Sequence, residues 1–414
     1  MIKFEKFTLS NGLIVLVHED NSTPMAVVNV LYDVGARDEY PDKTGFAHLF
    51  EHLMFGGSIN IPVYDEPLQL AGGENNAYTT SDLTNYYCQL PAENIETAFW
   101  LESDRMLSLA FSKKSLETQR KVVCEEFKEH YINKPYGDVW HKMRALAYTT
   151  HPYRWMTIGA ALSHVENATL EDVKAFFYKH YTPANAILVV AGNITTDKVK
   201  ELAQKWFGPI PAGEKYNRNL PKEPPQTEAR SLEVKANVPL DALYKCWHIY
   251  TRTDMRYYTA DLITEILSGG GSSRLYQALV KEKQLFSNIE CYHMGSTDTG
   301  LLTIEGKLVK GVHMKDAEAA LNEEIKKIQQ NAITEKELEK VKNKTESMMT
   351  FEDMTIMNRA ASIAMYELLG DADLINKELD RYRAVTIDEI TKECKVIFND
   401  NNCNTLYYYS DNNL

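Results

Sequence analysis

The sequence predicts an α+β fold of two homologous halves, each an antiparallel-rich sheet with helices packed on it. Three observations carry that expectation. Strand-like and helix-like segments recur in the same order along the chain, and a proline-rich stretch at 208–230 separates the two runs. The segment Thr386-Ile387-Asp388-Glu389-Ile390 also repeats Thr169-Leu170-Glu171-Asp172-Val173 at an offset of 217 (386 − 169). At that offset Tyr181 falls on Phe398, and Leu188 to Ala191 fall on Thr405 to Tyr408 without a gap.

With 414 residues, the chain is longer than one hydrophobic core usually holds. Domains are therefore expected at 1–212 and 231–414, with 213–230 as the linker. Phe4 to Leu9 leads through the turn signal Asn11-Gly12 into Leu13 to His18, a predicted hairpin, and Met25 to Tyr32 is an apolar run suited to a buried strand. A helix is predicted around His48 and another from about Tyr64 to Ala71, stopped by Gly72-Gly73. Strands are expected at Asn75 to Thr80 and Asn85 to Leu90, then helices from Ala92 to Asn133 with a break near Phe111-Ser112, and from Asp138 to Tyr148. Thr169 with Asp172 forms an N-terminal capping box for a helix running to about Tyr181, and Ala186 to Val190 is a buried strand.

Composition narrows the class. Apolar content of 44% and charged content of 25% are those of a water-soluble globular protein. No run approaches the roughly twenty apolar residues of a membrane span, and Met1 to Phe7 lack the apolar core of a secretory leader. The expected compartment is the cytoplasm, or the periplasm if a leader has been removed. A net charge of −13 argues against a nucleic-acid surface. The six cysteines show no C-x-x-C spacing and are expected to be reduced core residues.

The chemistry concentrates in His48-Leu49-Phe50-Glu51-His52. On a helix, positions 48, 51 and 52 share one face, so two imidazoles a turn apart could hold one Zn²⁺ with the Glu51 carboxylate beside it as a general base. The bland alternative is a pair of ordinary core or surface histidines. With 11 histidines and 58 acidic residues, chance gives only about 0.04 such patterns in a chain of this length. A catalytic zinc takes a third protein ligand, and Val122 to Glu129 offers Glu125, Glu126 and Glu129 on one predicted helix.

H-x-x-E-H is the inverted form of the metalloprotease helix motif, and with its flanking residues the chain resembles the pitrilysin family of zinc peptidases. The resemblance implies half of a clamshell built from two such two-domain units, a zinc-dependent endopeptidase activity on extended peptides, and Glu51 as the catalytic base. His48, His52 and Glu126 would be the metal ligands, with Glu126 lying 74 residues (126 − 52) after His52 in an apolar-apolar-x-E-E segment. Glu129 would support a zinc-bound histidine or be the ligand itself. The family has an acid where Gln119 stands here, so Gln119 could hydrogen-bond but not supply charge. The stretch Gly72 to Thr80 resembles the family's substrate-binding edge strand, where a peptide pairs as an added strand; Asn76 and Ala77 match its Asn-Ala positions, and with Tyr78 and Thr79 they would be the substrate-binding residues.

One departure bears on assembly. Self-sufficient members carry an Arg and a Tyr after the glycine-rich turn that here is Gly269-Gly270-Gly271, and those two positions fall on Val280 and Ser287. The resemblance therefore implies the zinc-bearing subunit of a heterodimer whose partner, a second two-domain subunit, supplies the Arg and Tyr. A homodimer with an isologous interface is the runner-up. A non-catalytic structural or peptide-binding subunit of the same fold is the alternative function.

Overall fold

The computed structural model describes residues 1–330 and 333–411. Among the described residues, eleven strands form two sheets. The first contains β1 (Glu5–Thr8), β2 (Ile14–Glu19), β3 (Met25–Tyr32), β4 (Glu74–Thr79), β5 (Thr84–Pro91) and β6 (Ala186–Gly192), in the order β1-β2-β6-β3-β5-β4. The second contains β7 (Arg230–Ala236), β8 (Ala242–Ile249), β9 (Phe286–Met294), β10 (Gly300–Leu308) and β11 (Cys403–Ser410), in the order β7-β11-β8-β10-β9.

The second order is the first repeated without β1. In each sheet one pairing is parallel, β2 with β6 and β7 with β11, and every other is antiparallel. The internal repeat expected from the 217-residue offset is thus present in the topology, and both threonine capping boxes form as predicted.

The helices that matter below are α1 (Phe46–Leu53), α2 (Asp65–Leu70), α3 (Ile95–Ser108), α4 (Lys113–Phe127), α5 (Val139–Ala147), α6 (Leu162–Glu166), α7 (Leu170–His180), α8 (Thr196–Trp206), α9 (Arg256–Ser268), α10 (Met314–Gln329), α11 (Glu335–Glu352), α12 (Ile356–Leu368), α13 (Leu374–Ala384) and α14 (Ile387–Ile397). The break between α3 and α4 falls at Leu109 to Ser112, where Ser112 caps α4 by accepting from the Ser115 amide.

The compact units do not follow the single cut at 213–230 that the sequence suggests. One comprises Met1–Glu129, Trp155–Leu220 and Thr350–Lys377, and the other His130–Arg154, Pro221–Met349 and Glu378–Leu414. The cause is a reciprocal exchange of helices. Ile356, Ala360, Ile363 and Ala364 of α12 pack on Leu16, Val27, Leu31, Ile187 and Val189 of the first sheet. Val139, Met143 and Ala147 of α5 pack on Ala242, Tyr244, Cys246 and Leu406 of the second. The two helices begin 217 residues apart (356 − 139), so the exchange obeys the same repeat as the strands. An apolar stripe on a helix states that it must be covered but not by which sheet, which is why the exchange is invisible in the sequence.

All six cysteines are buried and unpaired, as expected. No described helix is long and apolar enough to cross a membrane.

Candidate metal centre

The motif lies on α1, whose Phe46, Ala47, Leu49, Phe50 and Leu53 are buried. Phe50 stacks on Phe176 of α7 (ring centroids 5.2 Å apart) and on Tyr181 (5.0 Å), which fixes the helix by its apolar side. That leaves His48, Glu51 and His52 on the opposite, partly exposed side. The start of α1 is tight. Gly45 has φ of 88°, and a Cβ there would lie 2.7 Å from the Ile158 carbonyl oxygen, so only glycine fits. Before it, Thr44 Oγ1 accepts from the Ala160 amide (2.7 Å) and lies 2.8 Å from His164 Nδ1. The Thr44 amide also donates to that nitrogen (3.3 Å), so the nitrogen is an acceptor and the hydroxyl donates to it.

Helix α4 brings the third donor. Val123, Cys124 and Phe127 bury its last turn and turn Glu126 toward the histidines. Glu126 Oε2 is 3.5 Å from His52 Nε2 and 3.8 Å from His48 Nε2, and the two rings meet edge to face with centroids 4.9 Å apart. Zinc bonds of about 2.0–2.2 Å in a tetrahedron place ligand atoms roughly 3.3–3.5 Å from one another, so the Glu126 oxygen already stands within a few tenths of an ångström of that spacing from each imidazole, and all three atoms lie within 4.8 Å of one another. Burial lowers the His48 pKa, favouring the neutral imidazole that ligates a metal, against the opposing pull of Glu126. Among the described residues, no other group of three such side chains is so placed.

Comparison with known proteins places the chain in a family. The Insulinase (Peptidase family M16) profile matches residues 14–154, and the Peptidase M16 inactive domain profile matches 167–345. The zinc protease PqqE of Helicobacter pylori is 30% identical over 98% of this chain and 92% of its own length. The chain belongs to the M16, or pitrilysin, family of zinc peptidases. The uncharacterized zinc protease YmxG of Bacillus subtilis is 25% identical over 97% of this chain and 96% of its own. The mitochondrial-processing peptidase subunit beta of Saccharomyces cerevisiae is 30% identical over 50% of this chain and 45% of its own. Among solved structures, a protease from Helicobacter pylori superposes with a TM-score of 0.92 at 27% identity, covering 99% of this chain and 100% of the other. Pitrilysin superposes with a TM-score of 0.79 at 18% identity, covering 99% of this chain and 45% of its own, a likeness of fold.

In this M16 chain the remaining expected residues fall as follows. Glu126, not Glu129, stands with the histidines; Glu129 is exposed in the short π-helical turn Lys128–Ile132 that follows α4. Glu125 is on the surface, paired with Lys128 at 2.8 Å. Gln119 is half-buried on α4.

β4 is an edge strand, paired only with β5. The Ala77 amide donates to Asn76 Oδ1 (2.8 Å), so it points away from β5 to the free edge, and strand alternation directs the Asn75 and Thr79 backbone groups the same way. Asn76 and Tyr78 project exposed side chains, while those of Ala77 and Thr79 are half-buried. Thr79 does something the sequence did not suggest: its hydroxyl donates to Glu51 Oε2 at 2.6 Å. In the second half, Val280 is in the π-helical segment Tyr276–Glu282, and Ser287 on β9 donates to the Lys307 carbonyl at 3.1 Å.

Proposed function

We propose that this chain is a zinc-dependent endopeptidase subunit that hydrolyses extended peptides, with His48, His52 and Glu126 as ligands and Glu51 as the catalytic base. The observation that carries it is the convergence of the two imidazoles and the Glu126 carboxylate beside a helix face that also presents Glu51. Bound there, Zn²⁺ would polarise the scissile carbonyl and make an adjacent water acidic near neutral pH.

The chain's own groups supply the rest. Thr79 holds Oε2 of Glu51, which leaves Oε1 to take the proton from the attacking water and to return it to the leaving amine. The outward backbone groups of Asn75, Ala77 and Thr79 can pair with an extended peptide as an added strand, a grip that depends little on side chains. Val280 and Ser287 can neither orient substrate nor support an oxyanion, so a second two-domain subunit carrying an Arg and a Tyr completes the site in a heterodimer.

The direct test measures zinc content and cleavage of a quenched fluorescent peptide, with and without a metal-motif-free relative encoded by the same organism. Stoichiometric zinc, cleavage that needs the relative, and its loss in Glu51→Gln with zinc retained are the expected results. Cleavage by the purified chain alone, at a rate no relative changes, would remove the heterodimer. The missing Arg and Tyr also favour a second reading, a structural or peptide-binding subunit without turnover. That reading prevails if the chain binds peptide with or without zinc and Glu51→Gln alters nothing.

A further inference from the structure

Helix α1 carries the two imidazoles and Glu51, yet it lacks an ordinary N-terminal cap. Its N-cap is Gly45, which has no side chain, and its first turn contains no acid. The first amides of a helix have no intrahelical partner, and buried ones need an acceptor from elsewhere. That acceptor is Glu39. Its Oε2 receives the Gly45 amide at 2.9 Å and its Oε1 the Ala47 amide at 2.8 Å, and Glu39 is only 6% exposed.

Glu39 also belongs to a segment fixed to the other side of the site. It follows the 3-10 turn Ala36–Asp38, whose Ala36 and Arg37 amides donate to the Thr80 and Ser81 carbonyls at 3.1 and 3.0 Å, immediately after Thr79. Trp155 Nε1 donates to the Ala36 carbonyl (2.8 Å), Arg37 pairs with Asp82 at 3.0 Å, and Asp38 pairs with Arg218 at 2.7 Å. The carboxylate thus joins the end of β4 to the start of α1.

We propose that Glu39 is a positioning residue for the metal centre, a clamp that sets α1 against β4 so that His48 and Glu51 stand in register with Thr79 and the edge strand. The inference rests on the proposed metal site. The Ala47 amide precedes His48 directly, so slack there moves His48 Nε2, which already stands 3.8 Å from Glu126. Burial pushes the Glu39 carboxyl well above the usual carboxylate range, with the Ala47 and Gly45 amides pulling the other way, so the clamp acts through its two hydrogen bonds rather than through a fixed charge.

Glu39→Gln keeps the shape but turns one accepting oxygen into an NH₂ group that faces a backbone amide. Partners that orient metal ligands typically matter by about 10–100-fold in metal affinity. Co²⁺ affinity, measured by competition with a chromophoric chelator, is expected to fall at least tenfold, with an altered visible absorption spectrum of the bound Co²⁺. Hydrogen exchange at Gly45 to Ala47 in the metal-free protein is expected to speed up about as much. If Glu39→Gln does not fold, Glu39→Asp, which keeps the carboxyl group but falls one methylene short, is expected to show the same losses in smaller degree. Unchanged exchange at Gly45 to Ala47 in a folded variant, or Co²⁺ affinity within twofold and an unaltered spectrum, overturns the clamp. Should the parent chain bind neither Zn²⁺ nor Co²⁺, the metal reading fails, and amide exchange still decides whether Glu39 holds the helix.

Discussion

Thr79→Val tests whether Glu51 depends on the edge strand. The substitution keeps the branched shape and removes a single hydroxyl, the one that donates to Glu51 Oε2 at 2.6 Å. Hydrogen bonds to charged groups contribute about 1.5–3 kcal/mol net. Both side chains are half-buried, so water replaces part of the lost bond and the lower end applies, about 1.5 kcal/mol. Since ~1.4 kcal/mol in a barrier is tenfold in rate, kcat should fall roughly tenfold. KM should stay within about twofold, because the outward backbone groups of β4 are untouched. Zinc content should hold, since Thr79 makes no hydrogen bond to either histidine, and Thr79→Ser should restore most of the rate. The assay is steady-state cleavage of an extended quenched peptide by the assembled enzyme, with metal content measured on the same preparation. Retention of more than half of kcat by Thr79→Val would show that Glu51 is positioned by something else. A rise in KM alone would return Thr79 to the substrate-contacting role expected from the sequence.

Two further perturbations probe what supports the site. Arg105 and Glu102 form a buried pair, with Arg105 Nη2 donating at 2.6 Å and its guanidinium 4.4 Å from the centre of the Tyr86 ring, while Tyr86 OH donates to the Phe50 carbonyl. Arg105→Met should cost about 3–5 kcal/mol in urea unfolding by leaving Glu102 uncompensated, and adding Glu102→Leu should recover most of it; equal losses in the single and double variants would refute the pairing argument. His180 is fully buried, neither ring nitrogen has a hydrogen-bond partner among the described residues, and burial lowers its pKa from the usual 6.5 to about 3, with Lys179 and Arg218 adding to the effect. The unfolded chain then binds a proton that the folded one refuses between about pH 6.5 and 3, so this group's contribution to stability falls as pH drops through that window, by at most ~1.4 kcal/mol per pH unit. His180→Phe should flatten the acid limb of the unfolding curve relative to the parent, and identical slopes would show that His180 does not titrate as assigned.

The contiguous part of the site is legible in the sequence because a helix converts spacing into geometry directly. His48, Glu51 and His52 share a face wherever α1 lies. Glu126 is a different matter. Four residues apart on a helix, Val122 would share its face, yet Val122 is 44% exposed, and the buried stripe of α4 runs through Leu116, Val123, Cys124 and Phe127. Resemblance to the family singles out the carboxylate that the structure brings beside the histidines, whereas α4 is short of apolar residues and its stripe marks that position only weakly. Glu39 and Thr79 were illegible for another reason. Both act by side-chain to backbone or side-chain to side-chain bonds across a turn whose path the sequence does not state. An acid shortly before a glycine-started helix is the signal that could have suggested Glu39.

The second half clarifies what the first half adds. In the topologically equivalent pair, Asp261 of α9 and His293 of β9 are joined at 2.8 Å, with Tyr382 OH donating to the other Asp261 oxygen at 2.5 Å. A carboxylate on the first α-helix after the opening strands, hydrogen-bonded by the edge strand, therefore occurs in both halves, although the second has no histidine on that helix. The tie is consequently a property of the repeated frame, where it sets the helix on its sheet. In the first half the same tie has two imidazoles beside it and Glu126 brought in by α4. Under the proposed function, a carboxylate already fixed by the fold would serve as a base once a cation is held next to it, and His48, His52 and Glu126 would be what separates the half that carries chemistry from the half that keeps shape.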